Sequence, residues 1–349
     1  MNFYYLACNL VGWNSCFQTL VHEVFHILMF HSYLYKYYVN EDGIILGESK
    51  VIRLKPGTVN THQLILPKLV EFAKKYYKCD TIEGLDLEND ETSPGSHWED
   101  SIFRDENMSP IDRPGKQISN FTLIFLESTG WYLVDYSKAM PYLFGNEKGC
   151  DFSQLACNNT ILSAEYCGLA NDVGCQDDYS GVGVCDNNQF SGSCKTYDSS
   201  YASLCNEKPN KNGCEFCTIV STQGGVVSGD SSCFKSELTD GKLGYYYRAS
   251  CYKAQCVMNG GQQNIKIQIG TTEKICTLEN QVINVSGYYG SLICPKISEF
   301  CKYQDIKCLN DCLEKTGLCL VDNKCIYFDG SGVCAANCIS CRSSTFCLK

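Results

Sequence analysis

The chain has 349 residues, 26 of them cysteine, and a formal net charge of −10. This length is typical of two or three domains, and 44% hydrophobic residues are enough to bury a core, which excludes wholesale disorder. The negative charge argues against a protein that binds a phosphate backbone, since such proteins present a basic face. We therefore expect no nucleic-acid partner.

Three helices are predicted in the first 149 residues. Apolar side chains recur with a period near 3.6 over residues 17–39, and Lys68–Lys78 has one apolar side and a proline in its first turn. A third helix is predicted over Ser119–Ser128. Between the last two, Glu83–Glu106 is rich in acidic residues and contains Pro-Gly-Ser, so it is predicted to be a loop.

Beyond residue 149 the composition changes. Cysteines recur every few residues with Gly, Ser and Asn between them, and short strands are predicted at Gly244–Tyr247 and Ile265–Gly270. We place one boundary near residue 150 and a softer one near residue 300. The predicted regions are therefore residues 1–149, 150–300 and 301–349.

The cysteines predict disulfides and an oxidising compartment, because they are many and even in number. Only Cys8, Cys16 and Cys79 lie in residues 1–149, and the other 23 lie in the last 200 residues. If every cysteine pairs, this odd split requires at least one bridge across the 149/150 boundary. The pairs Cys214–Cys217 and Cys338–Cys341 are too far apart for a zinc ribbon, which favours disulfide staples.

The sharpest motif is His22-Glu23-Val24-Phe25-His26. Residues i and i+4 share one face of a helix, so the two imidazoles can bind one metal ion, and Glu23 beside them can hold a water molecule. Neutral imidazoles leave a zinc ion its full charge, which polarises a peptide carbonyl. The alternative interpretation is an amphipathic helix with two incidental histidines.

A catalytic zinc site needs a third protein ligand. His31 lies about 140° off the face of His22 and His26 if the helix continues, which favours a side chain at the helix end. His62 has no supporting context. His97 lies in Gly-Ser-His-Trp-Glu, and Met108-Ser109-Pro110 follows eleven residues later.

These motifs together resemble the leishmanolysin family of metzincin zinc endopeptidases. The resemblance covers roughly residues 17–301, and its further motifs follow in order at Ser119–Leu123, Ser128–Tyr132, Gly149–Phe152 and Gly287–Pro295. It implies an α+β fold, with a metzincin-type catalytic subdomain built around an active-site helix and a disulfide-rich, mostly β or irregular C-terminal region. On this basis residues 1–149 are a partial metzincin domain and residues 150–300 the family's cysteine-rich domain.

The resemblance also implies the site residues of a metalloendopeptidase. His22, His26 and His97 are then the ligands of one catalytic Zn²⁺, and Glu23 is the general base that activates a zinc-bound water. Met108 forms a hydrophobic floor beneath the metal, in the family's Met-turn. The substrates are proteins or peptides, and the location is extracellular or at the cell surface, membrane-associated by family resemblance. No apolar run is long enough for a transmembrane helix.

Two departures from the family pattern affect these expectations. Met29 replaces the glycine at which the family's helix ends, so we expect the helix to run on or to turn differently. Only 21 residues precede His22, so we expect the family's N-terminal subdomain to be missing, through a truncated gene model or a degenerate homologue.

Three further interpretations stay open, and the first of them rests on these two departures. One is a catalytically impaired cysteine-rich adhesion or binding protein with a residual zinc site, whose cysteine-rich region contacts cell-surface or matrix proteins. Another is a gluzincin-type site in which an acidic residue such as Glu83 replaces His97 as the third ligand. In the tail, the spacing over Cys308–Cys334 resembles an EGF-like module.

Overall fold

The computed structural model describes residues 13–56, 58, 61–88, 94–140, 142–154, 165–168, 171–186, 194–200, 203–206, 214–242 and 247–314, together with residues 318–321, 324–327, 340–343 and 346–348. The chain forms two compact units. The first comprises residues 1–172 and 184–198, and the second comprises residues 173–183 and 199–349. The predicted boundaries near residues 150 and 300 stay predictions.

The first unit contains the three predicted helices. Its helices are α1 (Trp13–Leu28), α2 (Pro67–Tyr77), α3 (Asp100–Phe103), α4 (Asn120–Ser128) and α5 (Cys150–Gln154), with 3₁₀ turns at Ser32–Tyr37, Glu48–Lys50 and Tyr136–Lys138. The helix predicted over residues 17–39 was too long, because α1 ends at Leu28 and a 3₁₀ helix follows. In α2, Pro67 occupies the first turn, as expected for a residue that lacks a backbone N–H.

A three-stranded antiparallel sheet lies in the first unit. Its strands β1 (Ile52–Leu54), β2 (His62–Leu64) and β3 (Leu85–Leu87) are ordered β1-β2-β3. Both β3 and α3 fall within Glu83–Glu106, so the loop predicted there was wrong for these two elements. The acidic composition suggested solvent exposure, yet the carboxylates of Asp86, Asp100 and Glu106 are buried beside basic or hydroxyl partners.

The core of the first unit is largely aromatic. Its fully buried rings come from α2, α4 and the segments around α1 and α3, namely Phe30, Tyr35, Tyr38, Tyr77, Trp98, Phe103, Phe121 and Phe125. Among the α1 side chains that the structure describes, residues 16–28, only Phe25 is buried, while Phe17, Val24 and Ile27 are 57%, 42% and 67% exposed. The active-site helix of the sequence prediction therefore presents an apolar outer face as well as a buried one.

The second unit is built on an antiparallel sheet. Three short strands precede this sheet in the chain: β4 (Val173–Cys175), β5 (Val182–Asp186) and β6 (Thr196–Asp198). The last residues of β5 belong to the first unit, where they pair with β6. After α6 (Glu215–Thr222) come β7 (Ser231–Lys235), β8 (Ala249–Asn259), β9 (Gln262–Ile269) and β10 (Thr272–Cys276), ordered β10-β9-β8-β7. Ile265, Ile267 and Ile269 are buried, which confirms the strand predicted over Ile265–Gly270.

The chain continues through short hairpins. The remaining elements are β11 (Val282–Ile283), β12 (Leu292–Ile293), α7 (Ile297–Glu314), β13 (Leu318–Val321), β14 (Lys324–Tyr327), β15 (Ser340–Ser343) and β16 (Phe346–Leu348). Most of the strand predicted at Gly244–Tyr247 lies outside the described residues, as do the side chains of the EGF-like spacing and of the pair Cys338–Cys341. Mixed helices and small antiparallel sheets confirm the predicted α+β class.

Seven disulfides join described cysteines. They are Cys79–Cys150, Cys167–Cys185, Cys175–Cys233, Cys205–Cys251, Cys214–Cys217, Cys256–Cys301 and Cys276–Cys294. Cys79–Cys150 crosses the 149/150 boundary, as the cysteine count required, and Cys214–Cys217 is a staple, as predicted. In the described part of the chain, no helix is long and apolar enough to span a membrane.

Candidate metal centre

Helix α1 brings two imidazoles together. His22 and His26 are one helical turn apart, so their side chains lie on the same face. The distance between their Nε2 atoms is 3.0 Å. Both residues are partly buried, with Phe25 between them packed into the core. The sequence motif thus places two ring nitrogens at one point beside the aromatic core.

His97 approaches the same point from the segment between β3 and α3. Its backbone carbonyl accepts a hydrogen bond from the Glu88 N–H at 2.9 Å, and Leu87 forms a β-bridge with Trp98. The Nε2 atoms of His97 and His22 are 3.2 Å apart. Within the described residues, His22, His26 and His97 form a group that can hold a metal ion, and their ligand atoms lie within 4.8 Å of one another.

Backbone carbonyls fix the orientation of the two helical histidines. Nδ1 of His22 donates to the carbonyl oxygen of Asn107 at 2.7 Å, and Nδ1 of His26 donates to that of Phe30 at 2.7 Å. A carbonyl can only accept, so in the neutral rings the proton lies on Nδ1 and the lone pair on Nε2. The Nε2 atoms of His22 and His26 therefore present lone pairs that could bind a metal ion, and the outer hydrogen bonds hold them in place.

Burial keeps His22 neutral. It lowers the pKa of His22 to about 4, with smaller contributions from the positive charges of Lys116 and His26, while the Asn107 hydrogen bond acts in the opposite direction. A ring with this pKa carries no proton on Nε2 near neutral pH. His22 thus offers its lone pair without first losing a proton.

The geometry suits a zinc ion. Zn–N bonds of about 2.1 Å in a tetrahedral site separate two ligand nitrogens by about 3.4 Å, close to the 3.0 and 3.2 Å observed here. Without a cation, lone pairs on neutral imidazoles at this separation repel one another. Three imidazoles are a donor set that Zn²⁺ prefers.

The segment around Met108 runs beside this group. Met108 is fully buried, and its carbonyl accepts a hydrogen bond from the Trp98 N–H at 3.0 Å. The ammonium of Lys116 donates to the backbone carbonyls of the two residues that flank Met108, at 3.1 Å to Asn107 and 2.7 Å to Ser109. Burial lowers the pKa of Lys116 to about 8. The same Asn107 carbonyl thus binds both His22 and Lys116.

A buried chain of hydrogen bonds holds Trp98, the residue that follows His97. Nε1 of Trp98 donates to Oγ1 of Thr122 at 3.1 Å, and Oγ1 of Thr122 donates to Oε2 of Glu106 at 2.7 Å. Glu106 is fully buried, and burial raises its pKa to about 7 despite its bonds to Ser119 and Thr122. The residue after His97 is thereby tied to both α4 and the Met108 segment.

Comparison of the amino-acid sequence with known protein families agrees with this geometry. The leishmanolysin (peptidase M8) family profile matches residues 9–308. The chain belongs to the leishmanolysin family. This confirms the resemblance drawn from the ordered motifs.

Three relatives illustrate the range within the leishmanolysin family. The ciliated left-right organizer metallopeptidase of Danio rerio is 28% identical over 82% of this chain and 46% of its own length. A leishmanolysin-like peptidase of Caenorhabditis elegans is 27% identical over 73% of this chain and 47% of its own length. The leishmanolysin of Leishmania amazonensis is 27% identical over 48% of this chain and 28% of its own length. The chain spans about half the length of the first two.

The departure from the leishmanolysin-family pattern at Met29 leaves the helix end intact. Helix α1 ends at Leu28, where the N–H groups of Met29 and Phe30 both donate to the Phe25 carbonyl at 2.9 Å. Met29 is fully buried and is not among the described residues with positive φ. The chain therefore turns without the left-handed residue that glycine would supply.

The other candidate ligands lie elsewhere. His31 is exposed, and its Nδ1 accepts a hydrogen bond from the Tyr33 N–H at 3.1 Å. His62 lies in β2, and Glu83 pairs with Arg53 at 3.0 Å on the surface. None of the three belongs to the metal-ligand group found in the described residues. Glu23 is exposed on α1 directly after His22.

Sequence reasoning missed the residues that support the histidines. Besides Lys116, Thr122 and Glu106, the buried guanidinium of Arg113 holds both carboxylate oxygens of Asp100, at 2.6 and 2.7 Å, at the start of α3. Thr122 lies in the family motif Ser119–Leu123, but no local pattern predicts the contacts of these side chains, because each has its partner at a distance in the sequence. The roles of the histidines, Glu23 and Met108 stay predictions.

Proposed function

We propose that this chain carries the catalytic centre of a zinc-dependent metalloendopeptidase that hydrolyses peptide bonds in proteins. The observation that carries the proposal is the convergence of the Nε2 atoms of His22, His26 and His97, two of them in a fixed neutral tautomer. Membership of the leishmanolysin family supports a peptidase over the cysteine-rich adhesion protein.

Zinc, when bound, supplies Lewis acidity that polarises a peptide carbonyl and lowers the pKa of a water molecule. The chain's own part is to hold and to move protons. His22 and His26 keep their protons on Nδ1 through the carbonyls of Asn107 and Phe30. Glu23, exposed next to His22, takes the proton of the attacking water and then delivers a proton to the leaving amine.

The proposed substrates are proteins or peptides, and the proposed location is extracellular or at the cell surface. The described disulfides support this location, because disulfides persist in oxidising compartments. The proposed third ligand is His97 rather than Glu83. Glu83 is engaged with Arg53 on the surface, whereas His97 lies 3.2 Å from His22.

The test of the function is a comparison of Glu23→Gln with Glu41→Gln in the zinc-loaded chain. Glu41 is a matched control, since it is a glutamate of the same unit with a 92% exposed side chain. We expect Glu23→Gln to keep one zinc ion and to lose about a thousandfold in casein cleavage, the usual size of a general acid–base contribution. We expect Glu41→Gln to match the wild type. Cleavage unaffected by Glu23→Gln would contradict the mechanism.

A further inference from the structure

Cys214 and Cys217 form a disulfide at the start of α6, in the second unit. Cys214 is the N-cap of the eight-residue helix, and its Sγ accepts a hydrogen bond from the Cys217 N–H at 3.0 Å. The two residues between them are Glu215, which is exposed, and Phe216, which packs into the apolar cluster beneath. Nothing in the proposed peptidase function uses this disulfide.

Of the seven described disulfides, this is the one in which neither cysteine is buried. Each of the other six contains at least one cysteine with a relative exposure of 1% or less, namely Cys79, Cys185, Cys233, Cys205 and Cys251, Cys301, and Cys276 and Cys294. An external thiol can therefore approach either sulfur of Cys214–Cys217, whereas each of the other six described pairs offers at most one half-buried cysteine.

The same disulfide contributes least to holding the chain together. Its cysteines are three residues apart, whereas the other six described pairs span 18 to 71 residues. The stabilisation from a cross-link grows with the length of the loop that it closes. Two further disulfides, Cys205–Cys251 and Cys175–Cys233, anchor the same apolar cluster. Opening Cys214–Cys217 thus leaves the unit tied together.

The helix favours a thiolate at Cys214. The positive end of the α6 dipole and the Cys217 N–H both stabilise negative charge on the Cys214 sulfur. The carboxylate of Glu215 opposes this effect, but its exposure to solvent screens its charge. A cysteine at a helix N-terminus in a Cys-x-x-Cys pair is the arrangement that lowers thiol pKa values.

From access, loop length and helix position together, we propose that Cys214–Cys217 is a redox-active disulfide that exchanges with external thiols. The thiolate of an incoming thiol attacks Sγ of Cys217, the Cys214–Cys217 bond breaks, and Cys214 leaves as the thiolate that the helix stabilises. A second thiolate attacks the sulfur of the bound thiol and releases Cys217 as a thiolate, and both protein thiolates take up the protons that the two incoming thiols released. Two thiols are oxidised to one disulfide, and the protein disulfide is reduced to two thiols.

The first test uses the native full-length chain and reduced glutathione as the probe. After a brief exposure at graded glutathione concentrations, free thiols are alkylated and mapped by peptide mass spectrometry. We expect Cys214 and Cys217 to be labelled at least about tenfold faster than Cys205 and Cys251, with the circular dichroism spectrum unchanged. Labelling at the same rate as the buried pair, or only after unfolding, would overturn the proposal.

The second test traps the intermediate. In Cys217→Ser, the freed Cys214 thiolate attacks oxidised glutathione, forms a mixed disulfide and releases one glutathione thiolate. We expect one glutathionyl group on Cys214 in this variant, and markedly slower modification of Cys217 in the matched Cys214→Ser variant, because Cys217 is not the N-cap. Equal rates in the two variants, or no adduct on Cys214, would show that the helix N-terminus does not activate this pair.

Discussion

Trp98 links the third histidine to the core through a single side-chain hydrogen bond. Its indole N–H is buried and donates to Oγ1 of Thr122. Thr122→Val keeps the shape of the side chain but removes this acceptor, so the N–H is left unsatisfied in the core. We expect the free energy of unfolding, measured by urea denaturation, to fall by about 2 kcal/mol. We also expect zinc affinity to fall about tenfold, because Trp98 adjoins His97.

The control for that variant is Thr58→Val, since Thr58 is exposed and bonds only the nearby Lys55 carbonyl. It should leave both stability and zinc affinity at the wild-type value. Unchanged urea unfolding and zinc titration in Thr122→Val would mean that the chain from Trp98 to Glu106 does not support His97.

Glu106 gives the first unit a stability that falls as pH rises. Burial raises its pKa from 4.5 to about 7, so between these values the folded state holds a proton that the unfolded state has released. The contribution of Glu106 to the free energy of unfolding therefore decreases over this range by about 3 kcal/mol, whereas the lowered pKa of His22 acts in the opposite direction. Glu106→Gln mimics the protonated acid and should remove this contribution, whereas the exposed Glu48→Gln should leave the pH dependence of the wild type unchanged.

Urea unfolding of the wild type and both variants between pH 4.5 and 7.5, in the presence of a chelator, measures how the free energy of unfolding depends on pH. The chelator removes the contribution of metal binding to the pH dependence. If Glu106→Gln showed the same pH dependence as the wild type, the contribution assigned to Glu106 would be contradicted.

At the scale of elements, α4 depends on its N-cap residue, Ser119. Ser119 caps the helix by accepting the Phe121 N–H at 3.0 Å, and its hydroxyl also donates to Glu106. We expect Ser119→Ala to lower the free energy of unfolding by about 1 to 2 kcal/mol, measured by urea denaturation. Ser128→Ala, at the other end of the same helix, removes only a bond to the Ile124 carbonyl and should be nearly neutral. Equal losses would contradict the capping role.

Local patterns in the sequence predicted the elements that depend on neighbouring residues. The period of apolar side chains located α1 and the apolar side of Lys68–Lys78 located α2, and the spacing of His22 and His26 determined which face they share. What lies far apart in sequence could not be read in this way. His97 was identified only through the family resemblance, because nothing in a local pattern brings β3 next to α1.

The error over Glu83–Glu106 has the same origin. A carboxylate is buried only if a partner compensates the loss of water. Those partners are Arg113 for Asp100, and Ser119 and Thr122 for Glu106, all distant in sequence. The helix predicted past Leu28 was too long, because a helix end without glycine gives no signal in the sequence.

Across the whole molecule, disulfides of different span serve different purposes. Cys79–Cys150 joins the end of α2 to the start of α5 with a separation of 71 residues. Replacing both cysteines by alanine should lower the free energy of unfolding by about 4 kcal/mol, against about 2 for Cys214 and Cys217. Urea denaturation of the two double variants makes the comparison. A larger loss for the short pair would contradict the assignment of Cys79–Cys150 as the structural link.

The cysteines and the histidines therefore have separate roles. Of the 26 cysteines, 23 lie beyond residue 149, and fourteen described ones form seven disulfides, whereas the proposed ligand set contains only histidine. This division is what the proposed catalytic site requires, because structural zinc ions are commonly bound by cysteine.

X-ray absorption spectroscopy at the zinc edge of the loaded chain tests this claim most directly. Three imidazole nitrogens at about 2.0 Å are expected around one zinc ion, falling to two in His97→Ala and staying at three in His31→Ala. Sulfur at about 2.3 Å, or three imidazoles still present in His97→Ala, would contradict the proposed centre.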